Sequence, residues 1–316
     1  MKTLCVGMMV CDTMLAPVPF DILQRDSATI RPPSRSCGGD ALNVALGLAK
    51  LGNRVAIAGR AAPDENGKFL EAACRENGVD TRWIVWDTES STAVTYALID
   101  QKGERHFLSE NSIFHRLEAG DISQEALKEA DIVYFGSAMS MEKMDGGGIE
   151  KLFRQARSQG KLTVMDAAVN GENPGRDWMK VISPALTETD IFFPSLAEAI
   201  QLTGQREPEK IAECFRQFPM RLLGIKLGSQ GCFVTDFHTS RRLSCPPGIR
   251  VTDTTGAGDS FMAGLICGLS KGWDGYTSAG FATCVAAKNV EAYGGTGGIP
   301  SFKEACSFYE SCKENL

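Results

Sequence analysis

From Ala130 to Thr235, strand-sized apolar runs alternate with helix-length amphipathic segments, and this rhythm constrains the chain more than any other feature. The strand-like runs are Ile132–Phe135, Leu162–Met165, Ile191–Phe193 and Leu222–Leu227, with Cys232–Thr235 after them. Helical patterns fall near Gly148–Ser158, around Trp178 and over Leu196–Leu202. Short apolar strands joined by helices specify a parallel sheet covered on both faces. In such sheets ligands collect beyond the carboxyl ends of the strands, and Asp166, Ser195 and Lys226 stand at or near those ends. The chain has 316 residues, 43% hydrophobic and 23% charged, which suits one α/β domain over 1–316, with no linker or repeat to divide it.

Ahead of that rhythm, Leu4–Val10 reads as a first buried strand with Asp12 just beyond it. That position makes Asp12 a candidate for substrate hydroxyls; a turn residue or helix cap is the structural alternative. Residues 20–35 are polar and proline-bearing, a lid or a loop. Ser91–Asp100 and Glu104–Ser109 flank Gln101-Lys102-Gly103 as a hairpin. These strands stand outside the βα rhythm, so segments 12–36 and 91–112 are expected to form a small β lid over a site. Arg105, His106 and His115 lie on or after that hairpin, where a surface or core role is the ordinary one for a histidine.

Charge and cysteine usage exclude several classes. A net charge of −6 and a pI near 5.3 argue against nucleic acid, which calls for a basic face. Eleven dispersed cysteines without CxxC pairs, and only three histidines, give no zinc framework and fit reduced thiols in a cytoplasmic protein. Met1–Val10 is too short for a signal peptide, and no run reaches membrane-spanning length. Gly67-Lys68-Phe69 lacks the Ser/Thr and glycine spacing of a phosphate-binding loop, so nucleotide binding requires another device.

Two glycine-led stretches supply one. Gly38-Gly39-Asp40-Ala41-Leu42-Asn43 opens an amphipathic helix ending at Gly52, with Asp40 and Asn43 one turn apart and able to face the same way. Asp253-Thr254-Thr255-Gly256-Ala257-Gly258-Asp259-Ser260-Phe261 leads into a helix expected over Ala257–Lys271. Amides at such a glycine turn form an anion site, reinforced by the helix dipole. A carboxylate inside it, Asp259, suits a base that takes a proton from a nucleophile beside a phosphoryl group; helix capping is the plainer alternative. Glu198, one turn after Ser195, either complements a helix dipole or orients water around magnesium. Gly228-Ser229-Gln230-Gly231 reads as a hairpin turn, Phe281–Ala292 as a helix, and the glycine-rich run 294–298 as a loop before a terminal helix.

The GGDALN and DTTGAGDSF motifs, about 210 residues apart in this order, resemble those of the ribokinase-like (PfkB-type) carbohydrate kinases over essentially the whole chain. The resemblance implies a three-layer α/β/α sandwich with a β lid that forms a homodimer contact, and transfer of the ATP γ-phosphoryl group to a hydroxyl of a small molecule. It makes Asp259 the catalytic base and the amides of Gly256, Ala257 and Gly258 the anion hole. Asp12, Gly38, Gly39, Asp40 and Asn43 fall at sugar-binding positions. Ser195, Lys226, Gly228, Ser229, Gly231, Gly258 and Thr283 fall at ATP-binding ones. Glu198 corresponds to a magnesium contact through water, while Asp253 and Thr255 correspond to a monovalent-cation site for K+. The lid run Gly103-Glu104-Arg105-His106-Phe107 is similar to that of kinases acting on keto-sugars or sugar acids. Ser195 replaces the family's usual asparagine. The expected activity is phosphorylation of a sugar or sugar acid, with a nucleoside kinase of the same fold, or a non-catalytic sugar-binding regulator, as the alternatives.

Overall fold

The computed structural model describes residues 1–168 and 175–316. β1 (Lys2–Val6) is buried along its whole length. β2 (Val10–Leu15) and β3 (Ser34–Gly38) belong to a second sheet, after which α1 (Asp40–Lys50) leads back to β4 (Arg54–Ala58). The short β5 (Arg60–Ala61) and β6 (Val85–Trp86) bracket α2 (Glu65–Glu76), and β7 (Val94–Ile99) and β8 (Arg105–Glu110) form a hairpin. α3 (Gln124–Glu129) precedes β9 (Ile132–Ala138), α4 (Ile149–Ser158), β10 (Leu162–Ala167) and α5 (Trp178–Leu186). Then come β11 (Ile191–Phe192), α6 (Leu196–Thr203), α7 (Pro208–Phe215) and β12 (Leu222–Lys226). β13 (Cys232–Thr235) and β14 (Ser240–Leu243) are followed by α8 (Ala257–Ser270), α9 (Gly275–Asn289) and α10 (Phe302–Cys312).

The main sheet has eight strands in the order β14-β13-β12-β11-β10-β9-β1-β4, parallel from β12 to β4, with β13 and β14 antiparallel at one edge. Its strands carry apolar residues on both faces because both faces are covered. On one side Cys5, Ile57, Tyr134, Val164 and Phe193 pack with α1, α8 and α9; on the other Leu4, Val133, Phe135, Met165 and Phe192 pack with α4 to α7. The period of two along β1 and β9 divides the residues between these two cores. The second sheet, β3-β2-β7-β8, is the expected lid, drawn from both segments named above.

Some boundaries differ from the sequence pattern. The apolar run Leu4–Val10 is not one strand: the main-sheet strand ends at Val6 and Val10 already belongs to the lid, so Asp12 sits on β2, not beyond a core strand. α9 begins at Gly275, earlier than expected, because Asp274 caps it by accepting from the amides of Tyr276 and Thr277. α3, α7 and β14 carry too few periodic residues to stand out by pattern, although Pro208 at the first turn of α7 is a start signal. Among the described residues no cysteine is disulfide-bonded and no helix is long and apolar enough to cross a membrane.

Candidate active site

The site forms where α8 starts, because α1 packs along α8 and brings the two glycine-led motifs together. Gly256 caps α8 with φ +70°, and a β-carbon there would lie 2.1 Å from the Gly295 carbonyl oxygen, so only glycine fits. Ser260 Oγ donates to the Gly256 carbonyl at 2.7 Å and locks this first turn. Two of the three expected anion-hole amides, those of Gly256 and Gly258, have no hydrogen-bond partner among the described residues. The third is a correction: the Ala257 N–H donates to the Thr254 carbonyl at 3.2 Å, closing the turn instead of facing a ligand.

Asp259 follows in the first turn of α8, half-buried. Asn43 Nδ2, 216 residues away in sequence, donates to Asp259 Oδ2 at 2.8 Å. Burial lifts the Asp259 pKa above the ordinary carboxylate value, while the Asn43 bond and the Lys226 charge oppose the rise. Asp259 therefore gains basicity while remaining tethered.

Asp12 and Asp40 stand near enough to Asp259 to feel its charge. Burial, with Asp259 behind it, pushes Asp12 up to about 6; Gly38 lies under its carboxylate, and a β-carbon there would be 2.2 Å from Oδ2. Asp40 is pushed up to about 7, first by burial, with Asp259 adding to the rise and the Ser137 bond opposing it. Its Oδ1 accepts from Ser137 Oγ at 2.6 Å and from the Ala41 amide, whereas Oδ2 has no partner. Asn43 Oδ1 is also buried without a partner. Two orphaned acceptors beside a tethered carboxylate call for a ligand that brings hydroxyl donors. Gly39, with φ +87°, caps α1 and turns the chain between β3 and this pair.

Asn43→Ala is expected to move the acid limb of kcat/KM to higher pH. The amide stabilises ionised Asp259, so its loss raises that pKa and the base is protonated sooner as pH falls. A pH profile of kcat/KM checks this, and an unmoved acid limb would contradict the tether.

On the other side of Gly258 opens a cavity of about 390 Å³. Lys226, Gly228, Ser229, Gly231, Gly258 and Thr283 all line it, as expected for the nucleotide loop. Ser195 does not: it caps α6, its Oγ accepting from Glu198 N at 3.3 Å while Glu198 Oε2 accepts from Ser195 N at 2.6 Å. Glu198 stands in the first turn of α6, where its charge complements the helix dipole as its structural reading expects, and its side chain closes a capping box with Ser195. Oε1 has no hydrogen-bond partner among the described residues, and the carboxylate still acts electrostatically on Asp259 and Lys226. Lys226 Nζ pairs with the buried Asp166 carboxylate. Burial works against the Lys226 ammonium, but Asp166 and Glu198 outweigh it and hold its pKa above the ordinary lysine value.

Gly258→Ala separates binding from folding. A β-carbon there meets only Lys226 Nζ, at 3.5 Å, so the fold accepts it. Alanine in a helix is favoured by about 0.5–1 kcal/mol over glycine. The variant is expected to melt no lower than the wild type yet bind nucleotide at least about tenfold more weakly, since a methyl group blocks approach to the free amide, a loss about the size of one charge-assisted hydrogen bond. Thermal melting beside nucleotide titration checks both halves.

The cavity's apolar wall, including Ile249, Val251 and Val290, had no sequence signal, since its residues come from a loop and one helix face without a shared spacing. Ser137, which orients Asp40, also had none. Asp253 and Thr255, the residues of the expected cation site, bond to each other, Thr255 Oγ1 donating to Asp253 Oδ1 at 2.7 Å, and Arg105 of the lid joins them, donating from Nη1 to Asp253 Oδ1 at 3.1 Å and Thr255 Oγ1 at 2.9 Å. His106 is exposed on β8, and His115 Nδ1 accepts from Glu142 N at 3.4 Å, both away from this site.

Comparison with known proteins gives the family. Residues 2–301 match the profile of the pfkB family of carbohydrate kinases. Fructokinase-1 of Zea mays is 30% identical over 249 residues, covering 74% of this chain and 74% of the maize protein. The 2-dehydro-3-deoxygluconokinase of Bacillus subtilis is 28% identical over 283 residues, covering 87% of each. The crystal structure of a fructokinase with bound ATP from Xylella fastidiosa superposes with a TM-score of 0.85 at 21% identity over 99% of both chains, which shows the fold. A single matching profile from one end of the sandwich to the other, with kinases as the named relatives, settles the assignment: the chain belongs to the pfkB family of carbohydrate kinases.

Proposed function

We propose that this kinase transfers the γ-phosphoryl group of ATP to a hydroxyl of a keto-sugar or sugar acid, with Asp259 as the base. The carrying observation is the bond from Asn43 to Asp259 beside two orphaned buried acceptors, Asp40 Oδ2 and Asn43 Oδ1, with the nucleotide-sized cavity on the opposite side of Gly258. The hydroxylated substrate lies over Gly38, Gly39, Asp40 and Asn43 under the lid residue Asp12; ATP fills the cavity from Lys226 to Thr283. The named relatives act on fructose and on 2-dehydro-3-deoxygluconate, which supports the keto-sugar and sugar-acid class.

Phosphoryl transfer asks the protein chiefly for position and charge stabilisation. Asp259 accepts the hydroxyl proton as the hydroxyl oxygen bonds to the γ-phosphorus and the bond from that phosphorus to the β,γ-bridging oxygen breaks, releasing ADP. The amides of Gly256 and Gly258 face the oxygens on which charge accumulates. Lys226 lies on the cavity wall, its charge fixed by Asp166. Magnesium, which neutralises phosphate charge when bound with ATP, would be held through water by Glu198. The exposed lid residues Tyr96, Phe107 and Leu108 support a homodimer through the lid sheet, and the eleven free cysteines and net charge of −6 support a cytoplasmic setting without nucleic acid.

The test is ADP release with Mg-ATP across ketoses, aldoses, sugar acids and nucleosides. Turnover on fructose or a 2-keto-3-deoxy sugar acid is the expected result. Turnover confined to nucleosides, or none on any sugar, overturns the substrate class.

A further inference from the structure

The carboxylate of Asp253 accepts four hydrogen bonds. Its Oδ1 accepts from Thr255 N at 3.0 Å, from Thr255 Oγ1 at 2.7 Å and from Arg105 Nη1 at 3.1 Å, and its Oδ2 accepts from Gly294 N at 3.1 Å. Against burial, these N–H and O–H groups and the guanidinium hold the carboxyl well below the usual range. An alkali-metal ion needs oxygen lone pairs turned toward it. Here the carboxylate fits a guanidinium better than such an ion: three donors crowd Oδ1 and a backbone N–H faces Oδ2, and the positive charge beside them already belongs to the protein.

The origin of that charge matters. Every residue of β8 is exposed, and apart from Glu110's local bonds to Ser112, Arg105 makes the only side-chain hydrogen bonds and ion pair from β8 to the main sandwich among the described residues. The contact joins residues 148 and 150 positions apart, and Thr255 directly precedes Gly256. The same four-stranded sheet carries Asp12 into the sugar pocket.

We propose that Arg105 is a positioning residue that takes the place of an alkali-metal ion at the Asp253–Thr255 turn. When the lid is closed its guanidinium orders the turn and with it the free amides of Gly256 and Gly258; when the lid lifts, the turn loses its cation. Sugar capture, through Asp12, and readiness of the phosphate site, through Arg105, then depend on one motion. This assignment rests on the kinase reading given above.

The experiment compares wild type, Arg105→Ala and Arg105→Lys in potassium chloride and in choline chloride at equal ionic strength, using whichever acceptor the wild type turns over. The wild-type rate is expected to change less than about twofold between the salts. Arg105→Ala should lose about tenfold or more of kcat in choline, the size of one charge-assisted hydrogen bond, with the sugar KM little changed, and should regain most of it in potassium. Arg105→Lys should fall between the two. Strong potassium activation of the wild type, an alanine variant indifferent to potassium, or a loss confined to the sugar KM overturns the assignment. A parallel titration with a non-hydrolysable ATP analogue in both salts separates this from the substrate reading. If no sugar is turned over, the substrate class has failed, while Arg105 still stands or falls on whether analogue affinity becomes potassium-dependent only in the alanine variant.

Discussion

Asp259→Asn should leave a folded protein that binds nucleotide and turns over at least about a hundredfold more slowly, the scale of a lost general base. The exchange is nearly isosteric, and Asp259 is held by one side-chain bond from Asn43, so packing of α1 on α8 has little reason to change. On the mechanism proposed above, what disappears is the proton acceptor: a sugar hydroxyl is too weak an acid to ionise unaided, and the raised pKa of Asp259 suits it to receive the proton. An amide cannot substitute. Matching melting curves and nucleotide affinities, combined with single-turnover rates, isolate the chemical step; near-normal turnover would remove Asp259 from the mechanism.

Lys226→Met is the second large effect, and here stability suffers first. Asp166 is almost fully buried, and Lys226 is its partner across the strand ends of β10 and β12. Removing one member of a buried pair leaves the other charge uncompensated and costs ~3–5 kcal/mol. Asp166 can relieve that penalty by taking up a proton, since burial already raises its pKa and Lys226 opposes the rise. Its folded pKa in the variant then exceeds the unfolded value. The variant should be most stable at low pH and lose stability as pH rises through that folded pKa. The double variant Asp166→Asn with Lys226→Met removes both charges and should recover most of the loss. Denaturant unfolding at several pH values checks the sign and the rescue together. A single variant as stable as wild type at alkaline pH would show that the pair carries no net weight.

The parts of this molecule that sequence exposed are those where one physical requirement acts locally. The parallel sheet follows from apolar strands spaced by helices, and β9 to β12 appear where the pattern places them. Gly256, Gly258 and Asp259 were legible because a tight turn, a helix start and a carboxylate fall within four residues. The turn from Lys226 to Gly231 was legible as well, and Lys226, Gly228, Ser229 and Gly231 line the cavity beside α8. Ser195 was misplaced because a strand-end position alone does not tell a ligand contact from a helix cap. Arg105 was visible as a lid residue, but its partner Asp253 is 148 positions away, and no local pattern encodes that distance. Ala257 illustrates the finest limit: which amides stay free depends on how the turn closes, and the three adjacent residues have the same backbone chemistry.

The hydrogen bond from Asn43 to Asp259 also has a meaning for how the chain is made. A ribosome delivers α1 early and α8 only after every strand of the main sheet has been made, and the two then meet on one face of that sheet. β1 lies next to the β4 edge of the sheet, able to pair with β4 soon after synthesis but with β9 only later. Catalytic competence is therefore a late property of biogenesis, absent from any nascent fragment that ends before α8. Recovery of phosphotransfer during refolding would time the final docking of the sandwich, whereas far-UV signals would rise earlier with its separate helices.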